Sequence, residues 1–365
     1  MRIVYAVHGY GRGHATRTLA VLPDLARRHT LLCLAGGDAY TAIWPDFPVI
    51  RIPTLAFAYV PGTGRVSSFA TLRRNLPAIL DLMCRGPVFE SVREIVAGFG
   101  PDVILSDAEA WSHRVAADLR IPRISFDHIG LMAYCRPRVE WFDRPAAWFN
   151  AAIYRWLMGK PDRVLVSSFY PVPPRHPNVK LVGPLLRQAV RELSPRRGNH
   201  LLAYFNQGKH QLGPAILEAL AGAGAPVHVY GSDRRGQQGP LTFLPLSNLP
   251  FLEDLASCRA VISTAGNQLI GEAIYLGKPV CVIPEACVEQ RLNAAAVERM
   301  GIGMRVSAGR FSAERVRAFL ANLDTYAANM QRNVRDGVPE SLEAIEQFLA
   351  ELAPAAARSA SPVTV

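Results

Sequence analysis

The sequence lacks the features that mark several large classes of protein. Its six cysteines are scattered and include no C-x-x-C pair, which argues against a zinc cluster or a disulfide framework and favours buried free thiols. No run approaches the roughly 20 apolar residues that a membrane-spanning helix needs. The apolar stretch at residues 3–7 ends before His8, too early for the core of a signal peptide. We therefore expect a cytoplasmic protein.

Lysine is also scarce: only four of the 40 basic residues are lysines, and the formal net charge is +10. A surface with this charge attracts anions such as nucleic acids, anionic bilayers and sugar nucleotides. The chain contains no basic run interleaved with stacking aromatics and no zinc-finger spacing, which are typical of nucleic-acid-binding proteins. Nucleic acid is therefore not an expected partner.

What the sequence does contain is an alternation of two patterns. A chain of 365 residues exceeds the roughly 250–300 residues at which a single core stops growing, so two domains are expected. In both halves, short runs rich in Val, Ile and Leu alternate with longer amphipathic stretches, which indicates parallel sheets with helices on both faces. The predicted fold class is α/β, with two doubly wound, Rossmann-like domains that face each other across a cleft.

Proline density marks the predicted boundary between the domains, because helices and central strands both exclude proline. We predict an N-terminal domain over residues 1–186 and a second domain over residues 187–340. An amphipathic helix at residues 341–353 is expected to pack back on the first domain. The tail at residues 354–365, rich in Ala, Ser and Pro, is expected to be disordered.

Glycines alternate with other residues in the loop after the first predicted strand, which reads HGYGRGHATR at residues 8–17. Gly11 and Gly13 let a ligand approach the backbone, and the helix that follows directs its amide groups at the same space. The spacing is neither the dinucleotide G-x-G-x-x-G pattern nor a Walker P-loop, which argues against a nicotinamide enzyme or an ATPase. His14 suits general-base catalysis because imidazole titrates near neutral pH. The alternative is a helix-start histidine bonded to a backbone carbonyl.

A second small-residue turn lies in the C-terminal half, in the segment STAGNQLIGEAIYLGKPV at residues 263–280. The turn at residues 264–266 directs another helix N-terminus at a phosphate. Glu272 lies about two turns into this helix, where its carboxylate can accept hydrogen bonds from both hydroxyls of a ribose. The alternative for Glu272 is a solvated helix carboxylate. Glu289 and Gln290 stand at the start of the next predicted helix, where sugar hydroxyls are expected.

Both segments resemble the inverting glycosyltransferases of the GT-B fold that use nucleotide sugars, especially the branch of the lipid-II-forming enzyme of peptidoglycan synthesis. The loop at residues 11–17 is also similar to a Gly-x-Gly-His-Ala-Thr/Ser-Arg version found in bacterial and archaeal glycosyltransferases. The resemblance covers essentially the whole chain and is most specific over residues 266–293. It implies a hexosyltransferase whose substrate is a UDP-sugar and which needs no further cofactor.

The resemblance also implies a role for each matching residue. The first loop lies beside the acceptor and the diphosphate, Glu272 binds the donor ribose, and Glu289 and Gln290 contact the sugar. The donor-binding residues that it implies are Gly11, Gly13, Gly208, Thr264, Gly266, Asn267, Gln268, Glu272, Glu289 and Gln290. The chain departs from the family at residues 204–209, where only Gly208 matches a Gly-Gly-Ser-type turn, and at Tyr10, where glutamate is frequent.

The sequence contains no Asp-x-Asp metal motif, and the residues Asp107-Ala108-Glu109 are the nearest approach to one. We therefore predict an enzyme that needs no metal, in which helix N-termini stabilise the departing diphosphate. An inverting transfer also needs a base beside the acceptor hydroxyl. The candidates are His14, Asp107 and Asp127, with His128 as a further one, because both aspartates follow predicted strands and are expected at the edge of the cleft.

Aromatic and basic residues are interleaved over residues 131–160, among them Trp141, Arg144, Trp148 and Trp156. Such a segment suits a bilayer interface, a hydrophobic acceptor pocket or ordinary core packing. The first two interpretations favour a lipid-linked or amphipathic acceptor. They also make an anionic membrane surface, at the inner face of the cell membrane, an expected partner.

A UDP-sugar 2-epimerase-like enzyme is the alternative prediction, because such an enzyme can share the two-domain fold and the second-domain segment. It normally carries Gly-Thr-Arg-Pro-Glu after its first strand, whereas residues 11–17 here read GRGHATR, which favours a transferase. A catalytically inactive binding relative of the transferases is a further alternative.

Overall fold

The structure, a computed structural model, describes residues 1–58, 60 and 67–353. The tail that the sequence predicts to be disordered, residues 354–365, lies outside the described residues.

The first half of the chain alternates strands and helices around one sheet. Its strands are β1 (Arg2–Val7), β2 (Thr30–Ala35), β3 (Val49–Arg51), β4 (Val103–Asp107), β5 (Arg123–Asp127), β6 (Arg163–Ser167) and β7 (Val179–Val182). Its helices are α1 (Arg12–Arg28), α2 (Gly37–Ile43), α3 (Ser68–Cys84), α4 (Pro87–Phe99), α5 (Ala110–Asp118), α6 (Leu131–Tyr134) and α7 (Arg144–Met158), with a 3₁₀ turn at Trp141–Asp143.

The second half builds another sheet in the same way. Its strands are β8 (Leu201–Tyr204), β9 (Val227–Tyr230), β10 (Gly236–Gln238), β11 (Leu241–Phe243), β12 (Ala260–Ser263), β13 (Val280–Val282) and β14 (Gly303–Arg305). Its helices are α8 (Gln188–Arg191), α9 (Gly208–Gln211), α10 (Pro214–Ala221), α11 (Asn248–Ser257), α12 (Asn267–Tyr275), α13 (Val288–Arg299), α14 (Ala313–Leu320), α15 (Leu323–Gln331) and α16 (Gly337–Leu352), with a 3₁₀ turn at Ala308–Arg310.

The strand orders place a crevice in each sheet. The first sheet has the order β3-β2-β1-β4-β5-β6-β7, and the second has the order β10-β11-β9-β8-β12-β13-β14. The strand β10 pairs antiparallel with β11, and the other described pairs are parallel. The direction of strand addition reverses between β1 and β4 and between β8 and β12, so loops at these carboxyl ends diverge and leave room for a ligand. The predicted class, α/β with two doubly wound parallel sheets, is confirmed.

Burial explains why the central strands read as continuous apolar runs. Residues 3–7 of β1 are buried because helices cover both faces of the first sheet: α1, α2 and α16 on one face, and α3, α4, α5 and α7 on the other. None of the described helices is both long and apolar enough to span a bilayer.

The last helix returns from the second sheet to the first. α16 packs against β6, β7 and α1, and it buries Val338 and Phe348 in the core of the first half. The outgoing and returning chains touch where the amide of Gly337 donates to the carbonyl of Pro184 at 2.8 Å. A Cβ on Gly337 would lie 2.1 Å from the carbonyl oxygen of Gly183, so only glycine permits this approach.

Candidate active site

A cleft of about 300 Å³ lies where the carboxyl ends of the two sheets face each other. Loops that follow β1, β5, β8 and β12 line it, as the topology requires. Of the candidate catalytic and donor-binding residues named from the sequence, those that line the cleft are Gly11, Gly13, His14, His128, Thr264, Gly266, Asn267, Gln268, Glu272, Glu289 and Gln290. The sequence motifs from the two halves of the chain are therefore brought together in one cavity.

The glycine loop opens the first half of the cleft. Gly11 has φ +83° and precedes the first residue of α1, so it adopts a conformation that other residues rarely take. Its amide donates to Oδ2 of Asp38 at 3.1 Å, which holds the loop in place. A Cβ built on Gly11 or Gly13 would meet no atom within 4 Å, so here the glycines leave open space rather than relieve a clash.

His14 and Asp107 form a hydrogen-bonded pair at the floor of this loop. The register of β1 and β4 pairs Val7 with Asp107, so the carboxylate emerges directly beneath the first turn of α1. Nδ1 of His14 lies 2.7 Å from Oδ1 of Asp107. A carboxylate can only accept, so Nδ1 is the donor, and in the neutral ring the free lone pair is on Nε2. Because His14 lines the cleft, this geometry suits it to take a proton from a bound substrate.

Arg17 completes the arrangement from the next turn of α1. Its guanidinium donates to both carboxylate oxygens of Asp107, at 3.0 Å from Nε and 2.6 Å from Nη2. Burial alone would raise the pKa of Asp107, but Arg17 and then His14 outweigh it and hold that pKa below its usual value. Asp107 is therefore an ionised, fully buried orienting group, and it does not itself line the cleft.

His8 packs edge-to-face against His14, with ring centroids 5.0 Å apart. Burial and then the neighbouring His14 lower the pKa of His8 to about 3. This second imidazole is therefore neutral at physiological pH, and its ring forms a wall beside the candidate base.

Asp127 is directed away from the cleft, unlike the position that the sequence predicts for it. It ends β5, and its carboxylate accepts hydrogen bonds from the hydroxyls of Tyr154 at 2.6 Å and Ser125 at 3.1 Å and from the amide of Gly130. Burial and then Asp107 raise its pKa. Among the described residues it touches only this interior network, so the geometry favours a structural role over that of a base.

His128, the next residue, does line the cleft and bridges the two domains. Its Nδ1 lies 2.7 Å from the carbonyl oxygen of Ser167, and its Nε2 lies 3.1 Å from Oδ1 of Asn293. Nδ1 donates to the Ser167 carbonyl, and Nε2 also faces an oxygen, because Nδ2 of Asn293 donates to the carbonyl of Ala265 at 2.9 Å. Both nitrogens of His128 are therefore engaged, whereas His14 uses Nδ1 in its contact with Asp107.

The second half of the cleft is the start of α12. No acidic residue stands in the first turn of this helix, and its amide groups and positive dipole end face the cavity. Oδ1 of Asn267 accepts from the amide of Phe169 at 3.2 Å. Nδ2 of Asn267 and Oε1 of Gln268 are buried and have no hydrogen-bond partner within the described ranges. Because buried polar atoms are rarely left unpaired, these two indicate a ligand that supplies partners.

Glu272 is buried and is held by a residue that the sequence analysis missed. Its two oxygens accept from Nε and Nη2 of Arg187 at 2.9 and 2.8 Å, and Oε1 also accepts from Nε2 of Gln268 at 3.1 Å. The alternative of a solvated helix carboxylate is therefore wrong, since only 2% of the Glu272 side chain is exposed. Arg187 lies in the segment that joins the sheets, and no motif distinguishes it from the other 35 arginines.

Gln290 and Glu289 lie in the first turn of α13. The side chain of Gln290 accepts from the amide of Glu285 at 2.8 Å and donates to its carboxylate at 2.9 Å. Oε1 of Glu289 lies 3.8 Å from Nε2 of His128. Gly208 is not part of the cleft lining: it packs against Gly231, whose carbonyl oxygen a Cβ would approach to 2.2 Å.

The tryptophans of the segment at residues 131–160 face solvent, whereas its tyrosines, Tyr134 and Tyr154, are buried. Trp141, Trp148 and Trp156 are 77%, 70% and 52% exposed, and Arg144 is also exposed. Core packing is therefore excluded for these residues, and they do not line the cleft. On the same face of the first sheet, α3 exposes an apolar stripe formed by Phe69, Leu72, Leu76 and Leu80.

Several solved glycosyltransferases share this fold. The glycotransferase of kitacinnamycin superposes with a TM-score of 0.67 at 19% identity, covering 97% of this chain and 99% of that chain. UGT89C1 of Arabidopsis thaliana, solved with UDP, gives 0.66 at 15% identity, covering 96% and 99%. The spinosyn rhamnosyltransferase SpnG, solved with the spinosyn aglycone, gives 0.63 at 16% identity, covering 94% and 100%.

The sequence itself has no significant match among curated proteins. Residues 1–324 nevertheless match the family described as Glycosyl transferase family 1. The predicted GT-B fold and glycosyltransferase activity are confirmed, while the narrower likeness to the lipid-II-forming enzyme stays a prediction. Because the match spans most of the chain, the protein belongs to glycosyl transferase family 1 and is a glycosyltransferase.

Proposed function

We propose that this enzyme transfers a hexose with inversion, without a metal ion, from a UDP-sugar to a hydroxyl of a lipid-linked or amphipathic acceptor. The observation that carries the proposal is the His14–Asp107 pair on one wall of the cleft, opposite the amide-rich start of α12 on the other. A base and an anion-binding helix end that share one cavity are the two groups that a displacement at a sugar carbon needs.

In this mechanism the acceptor oxygen attacks C1 of the sugar from the face opposite the diphosphate. The bond from C1 to the phosphate oxygen breaks, and the acceptor proton passes to Nε2 of His14. Asp107 keeps the proton on Nδ1 and stabilises the imidazolium that forms. One displacement inverts the configuration at C1.

The leaving diphosphate gains its stabilisation from backbone amides and the helix dipole. The N-termini of α1 and α12 both face the cavity. Fixed dipoles of this kind act where negative charge develops and need no rearrangement during the reaction. The unpartnered Nδ2 of Asn267 is a further donor at the same end of α12.

Glu272 is proposed to bind the ribose, as the resemblance implies, with Arg187 as its orienting partner. The guanidinium uses one lone pair on each carboxylate oxygen, and Gln268 uses the second one on Oε1, so Oε2 keeps a second lone pair. A ribose hydroxyl is expected to donate to Oε2, and a second hydroxyl would take the place of the Gln268 amide on Oε1.

The acceptor is proposed to reach the cleft from a membrane surface. The exposed aromatics of α7 and the apolar stripe of α3 lie on one face of the first domain, where Arg73, Arg74 and Arg144 are also exposed. Buried rings and cations that meet lipid phosphates are the combination that holds a protein at an anionic interface. A hydrophobic acceptor at that surface would be supplied to the same side of the enzyme.

A direct assay tests this proposal. A thermal-shift panel of nucleotides and nucleotide sugars identifies the donor, because binding to the folded state raises its stability. Transfer to an acceptor is then followed by NMR, with and without EDTA. We expect an inverted anomer and unchanged turnover in EDTA. A retained configuration or loss of turnover in EDTA would contradict the mechanism, and conversion of the donor alone into an epimer would favour the epimerase alternative.

A further inference from the structure

Two histidines and an aspartate come together in the second domain, away from the cleft. They are His200, His228 and Asp254, and the atoms that each offers a metal all lie within 4.8 Å of one another. None of the three lines the cleft, and no sequence motif joins them.

The sheet register explains how the three meet. His200 immediately precedes β8, and the pairing of Leu202 with His228 places His228 on the neighbouring strand. Side chains alternate along strands, so His200, Leu202 and His228 project from the same face of the sheet. α11 packs on that face, and Asp254 on it points back at the two rings. The cluster lies toward the amino ends of the strands, opposite the end that forms the cleft.

The distances between these groups are short. Nδ1 of His228 lies 2.6 Å from Oδ2 of Asp254, and Nε2 of His200 lies 3.6 Å from Oδ1 of the same carboxylate. The two imidazole rings stack with centroids 4.3 Å apart. Two nitrogen ligands and a carboxylate therefore converge on one small volume.

His200 is the unexplained member of the cluster. It is 8% exposed, and its Nε2 has no hydrogen-bond partner among the residues that the structure describes. An ordinary hydrogen-bonded His–Asp pair accounts for His228 and for Tyr230, whose hydroxyl donates to Asp254 at 2.5 Å. That pair does not account for Nε2 of His200, which is buried and faces the Asp254 carboxylate without a hydrogen bond. Native proteins rarely leave such an atom unpaired.

We propose that His200, His228 and Asp254 bind a zinc ion that fastens β8, β9 and α11 together. Two imidazoles and a carboxylate are ligands that zinc prefers, and three protein ligands leave one position for water. The side chains of His228 and Asp254 are 28% and 18% exposed, so a water molecule and the ion itself can reach the site. Ligand atoms 2.6–3.6 Å apart in the histidine–aspartate pairs need only small side-chain shifts to surround an ion at about 2.0–2.2 Å. The site is structural and takes no part in sugar transfer.

The test uses the full-length protein after treatment with a chelator and dialysis. Titration with zinc chloride in a calorimeter should show one site per chain, and zinc should raise the melting temperature. His200→Ala and Asp254→Asn should each weaken the affinity by about tenfold or more. His176→Ala is the matched control, since His176 is an exposed histidine outside the cluster, and it should bind zinc like the wild type.

Two results would overturn the proposal: no stoichiometric zinc binding by the wild type, or equal affinity in His200→Ala. Loss of binding in His14→Ala would also overturn it, because the ion would then lie in the cleft. If the cluster variants fail to fold, X-ray absorption of the zinc-loaded wild type decides. A zinc coordination shell of nitrogen and oxygen atoms that includes two imidazoles would support the site. A coordination shell without imidazole would exclude it. Neither readout depends on transferase activity, so the proposed function and the zinc site can fail separately.

Discussion

The two walls of the cleft differ in how complete they are before a substrate arrives. On the first wall, His14, Asp107 and Arg17 already satisfy one another through hydrogen bonds of 2.6–3.0 Å. On the second wall, Asn267 and Gln268 have buried atoms without partners in the described chain, and Glu272 is engaged by Arg187. The comparison teaches that the fold alone positions the proposed base, whereas the proposed donor wall keeps unpaired polar atoms that a bound donor would satisfy.

The largest expected effect comes from removing the base on the complete wall. His14→Ala should lower turnover by about a hundredfold or more, because it removes the group that is proposed to take the acceptor proton. The binding of UDP, measured by calorimetry, should stay close to that of the wild type, since the donor wall is untouched. Retained turnover with saturating donor would show that another group takes the proton.

The next largest effect distinguishes the two buried aspartates, Asp107 and Asp127, which the sequence analysis made equal candidates for the base. Asp107→Asn keeps the shape but loses the charge that stabilises the His14 imidazolium, so turnover should fall by roughly tenfold to a hundredfold. Asp127→Asn is the matched control: it should leave turnover nearly unchanged and lower the free energy of unfolding by about 1–3 kcal/mol through its lost acceptor. Both are measured by steady-state kinetics and denaturant unfolding. Equal losses of turnover in the two variants would show that the two aspartates do not differ in their roles.

Asp107 also predicts a pH dependence of stability. Its pKa is lower in the folded protein than in the unfolded chain, because Arg17 and His14 favour the charged form against the opposing effect of burial. Its contribution to stability is therefore present above the unfolded pKa of about 3.9 and is lost as the pH falls through the folded value. Acid unfolding curves of wild type and Asp107→Asn should converge at low pH. Parallel curves would show that the carboxylate has no such role.

A smaller effect is expected on the donor wall. Glu272→Gln should raise the KM for the donor by about tenfold, with a lesser change in kcat, because it weakens binding in both the ground and transition states. Arg187→Lys keeps the charge but loses the two-point contact that orients Glu272, so it should raise KM by less. An unchanged donor KM in both variants would mean that this carboxylate does not face the ribose.

The smallest effect concerns the exposed aromatic face, whose tryptophans do not line the cleft. The double change Trp148→Ala and Trp156→Ala should lower partitioning onto anionic vesicles by about threefold to tenfold, while transfer to a water-soluble acceptor stays unchanged. Trp44→Ala is the control, because Trp44 is exposed on another part of the domain. Binding should also weaken as salt rises. Equal losses in the control, or no binding by the wild type at low salt, would count against the membrane surface.

The sequence could predict most of the fold because local patterns determine it. Alternating apolar runs and amphipathic stretches specify two parallel sheets, and the glycine turns show where the carboxyl edges bind a ligand. It could not predict the antiparallel edge strand β10, whose three residues are all exposed and carry no apolar pattern. Short edge strands of this kind depend on their neighbour rather than on their own sequence.

The sequence predicted a residue of the candidate site only where that residue belongs to a recognisable motif. The glycine loop and the α12 segment supply eight of the candidate residues that line the cleft. Arg187 and the His200 cluster were missed because their partners are 26 to 85 residues away and meet only in the folded chain. The inward direction of Asp127 was missed for a related reason: the partners Tyr154 and Ser125 decide where the carboxylate points, and position after a strand does not.

The return of α16 to the first domain determines how this enzyme can move. The chain crosses between the domains twice, and both crossings meet at Gly183 and Gly337. Two connections that meet at one point allow the two domains to rotate about it but not to separate. We therefore expect the cleft to open and close by rotation of the domains about this point. A bulky side chain at either glycine would therefore hinder this rotation and slow turnover, although neither glycine lines the cleft.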